Sequence, residues 1–125
     1  MRLLFAIIII ALSSATGFGQ LAEFSIKSPT IKLPKAKEGD QVEHIYEFTN
    51  TGKAPLIISS YKVDCPCTKL ELPKEPILPG QKGKIILSFD TKGKSFYQDR
   101  IIYLEMNTKK KTEKLRFKIY VEPKP

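Results

Sequence analysis

The sequence has no tryptophan, one histidine and only two cysteines in 125 residues. A lone histidine, His44, beside one cysteine pair rules out a zinc cluster of the usual Cys/His kind. Its place among apolar residues predicts a packed or sheet-edge side chain. No serine sits in a nucleophile-elbow motif, and Gly80, Gly83 and Gly93 lack the spacing of a phosphate-binding loop. The acidic residues are scattered, with no pair marked out for acid–base catalysis. No stretch keeps a helical period for three turns. These absences predict a chain that is not an enzyme and uses no cofactor.

What is present begins with an address. Met1-Arg2 is followed by an unbroken apolar run, Leu3 to Leu12, and then by the mostly small residues Ser13 to Gly19. Charge, apolar stretch and small residues in that order predict a secretory signal peptide over residues 1–19. The run is about half of the roughly 20 residues that a spanning helix needs. Cleavage is expected after Gly19, with Ala15 as the competing site. No later run is apolar enough to span, so residues 20–125 are expected as one exported domain, periplasmic or extracellular, with no membrane span of its own.

From Gln20 onward apolar and polar residues alternate with the period of half-buried strands. Leu115, Phe117, Ile119 and Val121 share one face of a strand over Lys114 to Glu122. Val42, His44, Tyr46 and Phe48 do so over Gln41 to Thr49, and Ile85, Leu87 and Phe89 over Lys84 to Asp90. Leu56 to Val63 and Arg100 to Met106 are apolar on both faces and predict central strands. Weaker strands are expected at Glu23–Lys27 and Thr30–Leu33. Turn residues separate these runs at Glu38-Gly39-Asp40, Asn50 to Lys53 and Asn107 to Thr112. Leu78-Pro79-Gly80-Gln81 has the proline and glycine of a type II turn. About seven short strands with regular turn signals predict an all-β, immunoglobulin-like antiparallel β-sandwich. Tyr46, Phe48, Phe89, Tyr103 and Phe117 are its expected aromatic core. Tyr61, Phe96, Tyr97 and Tyr120 are less constrained, and exposed members of this group would anchor a partner.

The formal net charge is +8. The lysines are spread along the chain and not interleaved with aromatics, so they predict a solvated surface that protects strand edges, with no nucleic-acid partner. Adhesion of that surface to acidic glycans or lipids is an alternative, and Lys109-Lys110-Lys111 reads as a hairpin tip. The one feature suggesting chemistry is Cys65-Pro66-Cys67. In an extended strand these cysteines sit near the upper limit for a disulfide, so closure needs a bend, which Pro66 favours. Three uses are open: a structural disulfide, thiol–disulfide exchange by a strained small ring, or capture of a soft ion such as Cu(I).

A series of motifs brings a family to this point. Phe48-x-Asn50-Thr51-Gly52 is followed by Pro55-Leu56-x-Ile58 and Cys65-x-Cys67-Thr68. Pro76-Ile77-x-Pro79-Gly80-x-x-Gly83-x-Ile85 and Phe89-x-Thr91 complete it. The series resembles the domain of unknown function 1573 (DUF1573) family of exported bacterial proteins, common in the Bacteroidetes. The resemblance implies an immunoglobulin-like sandwich, similar to hydin and major-sperm-protein domains, that serves in protein interactions. Family members usually carry glycine between the cysteines; Pro66 departs from that and argues against any role needing a flexible turn. The resulting expectation is a noncatalytic module binding a protein partner in the cell envelope. A redox or Cu(I)-handling module built on Cys65 and Cys67 is the alternative.

Overall fold

The computed structural model describes residues 20–125; the expected signal peptide lies outside the described residues. Nine strands are present: β1 (Phe24–Ser25), β2 (Thr30–Lys32), β3 (Ala36–Lys37), β4 (Gln41–Asn50), β5 (Ile58–Val63), β6 (Thr68–Glu71), β7 (Lys82–Asp90), β8 (Phe96–Met106) and β9 (Thr112–Glu122). They form two packed sheets. One has the order β1-β4-β7-β6; the other has the order β2-β9-β8-β5, with β3 also paired to β9. This is an immunoglobulin-like β-sandwich.

Nine strands replace the expected seven: β1 and β2 fall at the two weaker strands expected there, and β3 and β6 are additional. Pro29 and Pro34 interrupt residues 24–37, and a proline offers no N–H to a ladder. β1 pairs antiparallel with β4 in one sheet, after which the chain crosses and β2 and β3 pair parallel with β9 in the other. The sandwich is therefore mixed rather than wholly antiparallel. β6 also escaped the sequence reading, being only four residues long.

The alternation works as expected where strands are long. Leu115, Phe117, Ile119 and Val121 from β9 are buried against Ile85, Leu87 and Phe89 from β7 and against Tyr46 and Phe48 from β4. The Phe89 and Phe117 rings meet edge to face across the sheets at 5.1 Å. Among the described residues twelve large side chains are fully buried. At roughly 1.5–3 kcal/mol each, their burial supplies the main stabilising term.

Two sequence expectations change. Leu56 to Val63 is no central strand: β5 is the edge of its sheet, and Ile57 just before it is exposed. Tyr103 does not belong to the core. It is 38% exposed, because Ile102 and Leu104 face inward and a strand residue between two inward neighbours must face out.

Short-range chemistry fixes the connections. Gly80 has φ +81° and the Gln81 N–H donates to the Leu78 carbonyl at 3.0 Å, giving the expected tight turn. Asn50 is fully buried at the end of β4. Its Oδ1 accepts from the Glu23 and Gly52 N–H groups at 3.2 and 2.9 Å. Its Nδ2 donates to the Ala54 and Ile77 carbonyls at 2.8 and 2.9 Å. One side chain thus ties together the residue preceding β1, the turn after β4 and the strands' connecting segments. Tyr46 is also buried, and its hydroxyl donates to the Arg116 carbonyl of the opposite sheet at 3.0 Å.

Candidate functional site

Cys65-Pro66-Cys67 lies on the connection from β5 to β6, where the chain passes from one sheet to the other. The Thr68 N–H donates to the Cys65 carbonyl at 3.1 Å, closing a turn with Pro66 at its second position. That bend brings the two Cα atoms to 5.1 Å, within the usual disulfide range, and the sulfurs are bonded. The Cys67 carbonyl accepts from the Asp90 N–H at 2.9 Å, which anchors the turn to the end of β7. Both cysteines are half-buried and Pro66 is exposed. Among the described residues there is no helix, so no helix N-terminus is available to stabilise a Cys65 or Cys67 thiolate.

A second feature lies where β8 begins and β9 ends. Phe96 has φ +67°, the left-handed region that a bulky side chain rarely enters. It is in register with Val121, which is fully buried, so regular backbone would aim its ring inward. The left-handed backbone turns the ring out instead, and Phe96 is 58% exposed. Tyr97, opposite Tyr120 in the ladder, is 78% exposed. Phe96 and Tyr97 consequently both lie against the same ring, at 6.4 and 4.9 Å from Tyr120, although consecutive strand residues normally face opposite sides. The Lys35 ammonium stands 5.7 Å from the Tyr120 ring centre. Three aromatic rings and a cation are gathered on the solvent side at a cost in backbone strain of about 1–2 kcal/mol. Alternation leaves these aromatics unconstrained, and the positive φ that assembles them has no signal in the sequence.

His44 half-buries its ring on the inner face of β4, edge-on to Tyr46 at 5.0 Å. Burial disfavours its charged form and lowers its pKa. Lys109, Lys110 and Lys111 are exposed at the β8–β9 hairpin tip, the end of that ladder opposite the aromatic cluster. The structure brings none of these together into one constellation. Among the described residues no helix is long and apolar enough to cross a membrane.

Residues 24–121 match the family described as protein of unknown function (DUF1573). The chain belongs to the DUF1573 family. No curated protein matches it. A protein of unknown function from Porphyromonas gingivalis W83 has a similar structure, at TM-score 0.67 and 17% identity. That likeness covers 88% of this DUF1573 chain and 51% of the Porphyromonas protein, so the chain spans about half of the latter's length. The ASH/PapD-like domain 7 of human CEP192 is also similar, at TM-score 0.62 and 13% identity, covering 91% of this chain and 94% of that one. VesB protease of Vibrio cholerae matches over 82% of this chain and 32% of its own, with TM-score 0.57 and 10% identity. At such identities these likenesses concern the fold.

Three motif residues of the DUF1573 series, Asn50, Gly83 and Thr91, have structural roles. Asn50 satisfies the turn after β4, as described above. Gly83 packs beneath the Phe48 ring, where an added Cβ would meet the ring at 2.4 Å. The buried Thr91 hydroxyl lies 2.7 Å from the Asp40 carbonyl and 3.1 Å from the Lys37 carbonyl, joining two turns.

Proposed function

We propose that this DUF1573 chain is a noncatalytic interaction module, exported to a bacterial periplasm or beyond the cell, that holds a protein partner. The outward-turned cluster of Phe96, Tyr97 and Tyr120 carries this reading. Exposed aromatics with few rotatable bonds are the side chains that anchor protein interfaces. Here the left-handed backbone of Phe96 keeps its ring outside, beside Tyr97 and Tyr120, where regular alternation would turn it inward. Export rests on the character of residues 1–19. In the test, the purified chain serves as bait in a native envelope extract. A discrete protein is captured, and capture falls sharply in Tyr97→Ser and Phe96→Ser. Capture unaffected by both substitutions refutes the aromatic surface. Turnover of a thiol or disulfide substrate at a rate lost in Cys65→Ser refutes the noncatalytic reading.

The half-exposed position of the cysteine turn supports a second reading, a thiol redox or Cu(I)-handling module built on Cys65 and Cys67. Intact mass measured with and without mild reductant, then with Cu(I), separates the two. A bridge that resists reduction and no copper adduct favour a structural turn.

A further inference from the structure

We infer that the outer edge of β4 takes up a short extended segment of a partner protein as an added strand, and that this segment carries basic, apolar and basic side chains at alternate positions. The inference deepens the interaction reading above and rests on it, but uses a different surface. β1 covers β4 only at Asn50 and Thr49, because the chain then leaves for the other sheet. The Asn50 N–H donates to Gln81 and the Asp40 carbonyl accepts from Thr91, both toward β7. Backbone groups alternate in direction along an antiparallel strand. Those of Glu43, Ile45 and Glu47 therefore face the outer edge, where no described residue pairs with them.

The edges at β5 and β6 are protected and this one is not. β5 has a register shift between Ile58 and Ser60 and carries Lys62. β6 is four residues long and carries Lys69. Such bulges, lysines and short lengths are the ordinary means of blunting an edge. Gln41 to Glu47 has neither lysine nor proline, and its register with β7 is unbroken. An open, regular edge of this kind accepts a strand from another chain.

The exposed face of β4 states what that strand must carry. Glu43, Ile45 and Glu47 all point outward, and Ile45 is 48% exposed. Side chains directly opposite on an added strand lie within contact range, where opposite charges stabilise and like charges repel. The matching outward pattern is Lys or Arg, an apolar residue, then Lys or Arg. It reads the same in both chain directions. A second copy of this chain fits poorly: symmetric pairing centred on Ile45 sets Glu43 against the other copy's Glu47 twice. On the inner side, a groove of about 570 Å³ lined by Ile26, Ile31 and His44 accepts small side chains.

The test uses the purified chain and a fluorescent, end-capped heptapeptide Thr-Lys-Thr-Val-Thr-Lys-Thr, with the Glu-for-Lys peptide as comparison. The lysine peptide binds saturably and the glutamate peptide more weakly. Ile45→Pro abolishes binding, because it removes an outward N–H without touching the ladder to β7. Glu43→Lys combined with Glu47→Lys reverses the preference by about tenfold, the effect of two opposed charge pairs. Should Ile45→Pro fail to fold, the charge reversal decides. Equal binding of both peptides, no binding at millimolar peptide, or a dimer dissolved by Ile45→Pro overturns the inference. Tyr97→Ser leaves peptide binding intact, so failure of the aromatic reading is visible separately.

Discussion

Asn50→Ala tests how much of the sandwich hangs on one buried amide. The substitution removes four hydrogen bonds from a fully buried side chain. The Ile77 carbonyl keeps a second donor, the Leu56 N–H at 2.8 Å, so it is not orphaned. The Gly52 N–H and the Ala54 carbonyl lose the partner that Asn50 gave them. With a net value near 1 kcal/mol per bond and partial compensation at Ile77, the expected loss is about 3 kcal/mol. That is a large share of the roughly 5–15 kcal/mol of an ordinary domain. In urea, a slope of about 1.5 kcal/mol/M turns it into a midpoint lowered by about 2 M, read by far-UV circular dichroism. Asn50→Asp should do no better. It keeps the acceptor but sets a carboxylate oxygen against the Ala54 and Ile77 carbonyls. A loss below about 1 kcal/mol for Asn50→Ala would refute this reasoning and mean that water replaces the amide at little cost.

Other outcomes follow from the same structure. Gly83→Ala drives a methyl into the Phe48 ring within the core and should cost about 1–3 kcal/mol in a thermal or urea melt. Phe96→Gly relieves the left-handed strain, so it should leave stability unchanged or raised while partner capture falls. A clear loss of stability would contradict the strain argument. Replacing both Cys65 and Cys67 by serine should cost at most about 1.5 kcal/mol, since so short a loop constrains the unfolded chain little. The hydrogen bond from Arg116 holds the Asp99 carboxyl below its ordinary pKa. Its stabilising contribution is present above the unfolded carboxylate range and is lost as pH falls through the lowered value. Melting temperatures of wild type and Asp99→Asn should therefore differ at neutral pH and converge in acid; a gap that persists in acid argues against the pair.

The long strands β4, β7 and β9 were legible because their buried faces alternate without exception. Leu115, Phe117, Ile119 and Val121 specify a face whatever their neighbours do, and the same holds for Ile85, Leu87 and Phe89. Tyr103 was misassigned by chemistry against register: its aromatic ring suggested the core, while its inward neighbours Ile102 and Leu104 required it to face out. The edge position of β5 depends on which strands pair with it, and pairing partners are distant in sequence. β3 and β6 are too short to show a period. At the candidate sites the cysteine pair was plain from its spacing. The aromatic cluster was legible only as a set of unconstrained rings, since nothing in Ser95-Phe96-Tyr97 announces a left-handed phenylalanine. The open edge of β4 exists because another segment leaves it, a relation between strands that no local pattern records.

The crossing of the first strand also has a mechanical consequence. β2 and β3 run parallel to β9, so the chain entering β2 and the chain leaving β9 emerge at opposite ends of that sheet. Tension applied between them loads the hydrogen bonds of Thr30–Lys32 and Ala36–Lys37 along the strands, all at once, instead of opening them one by one like a zip.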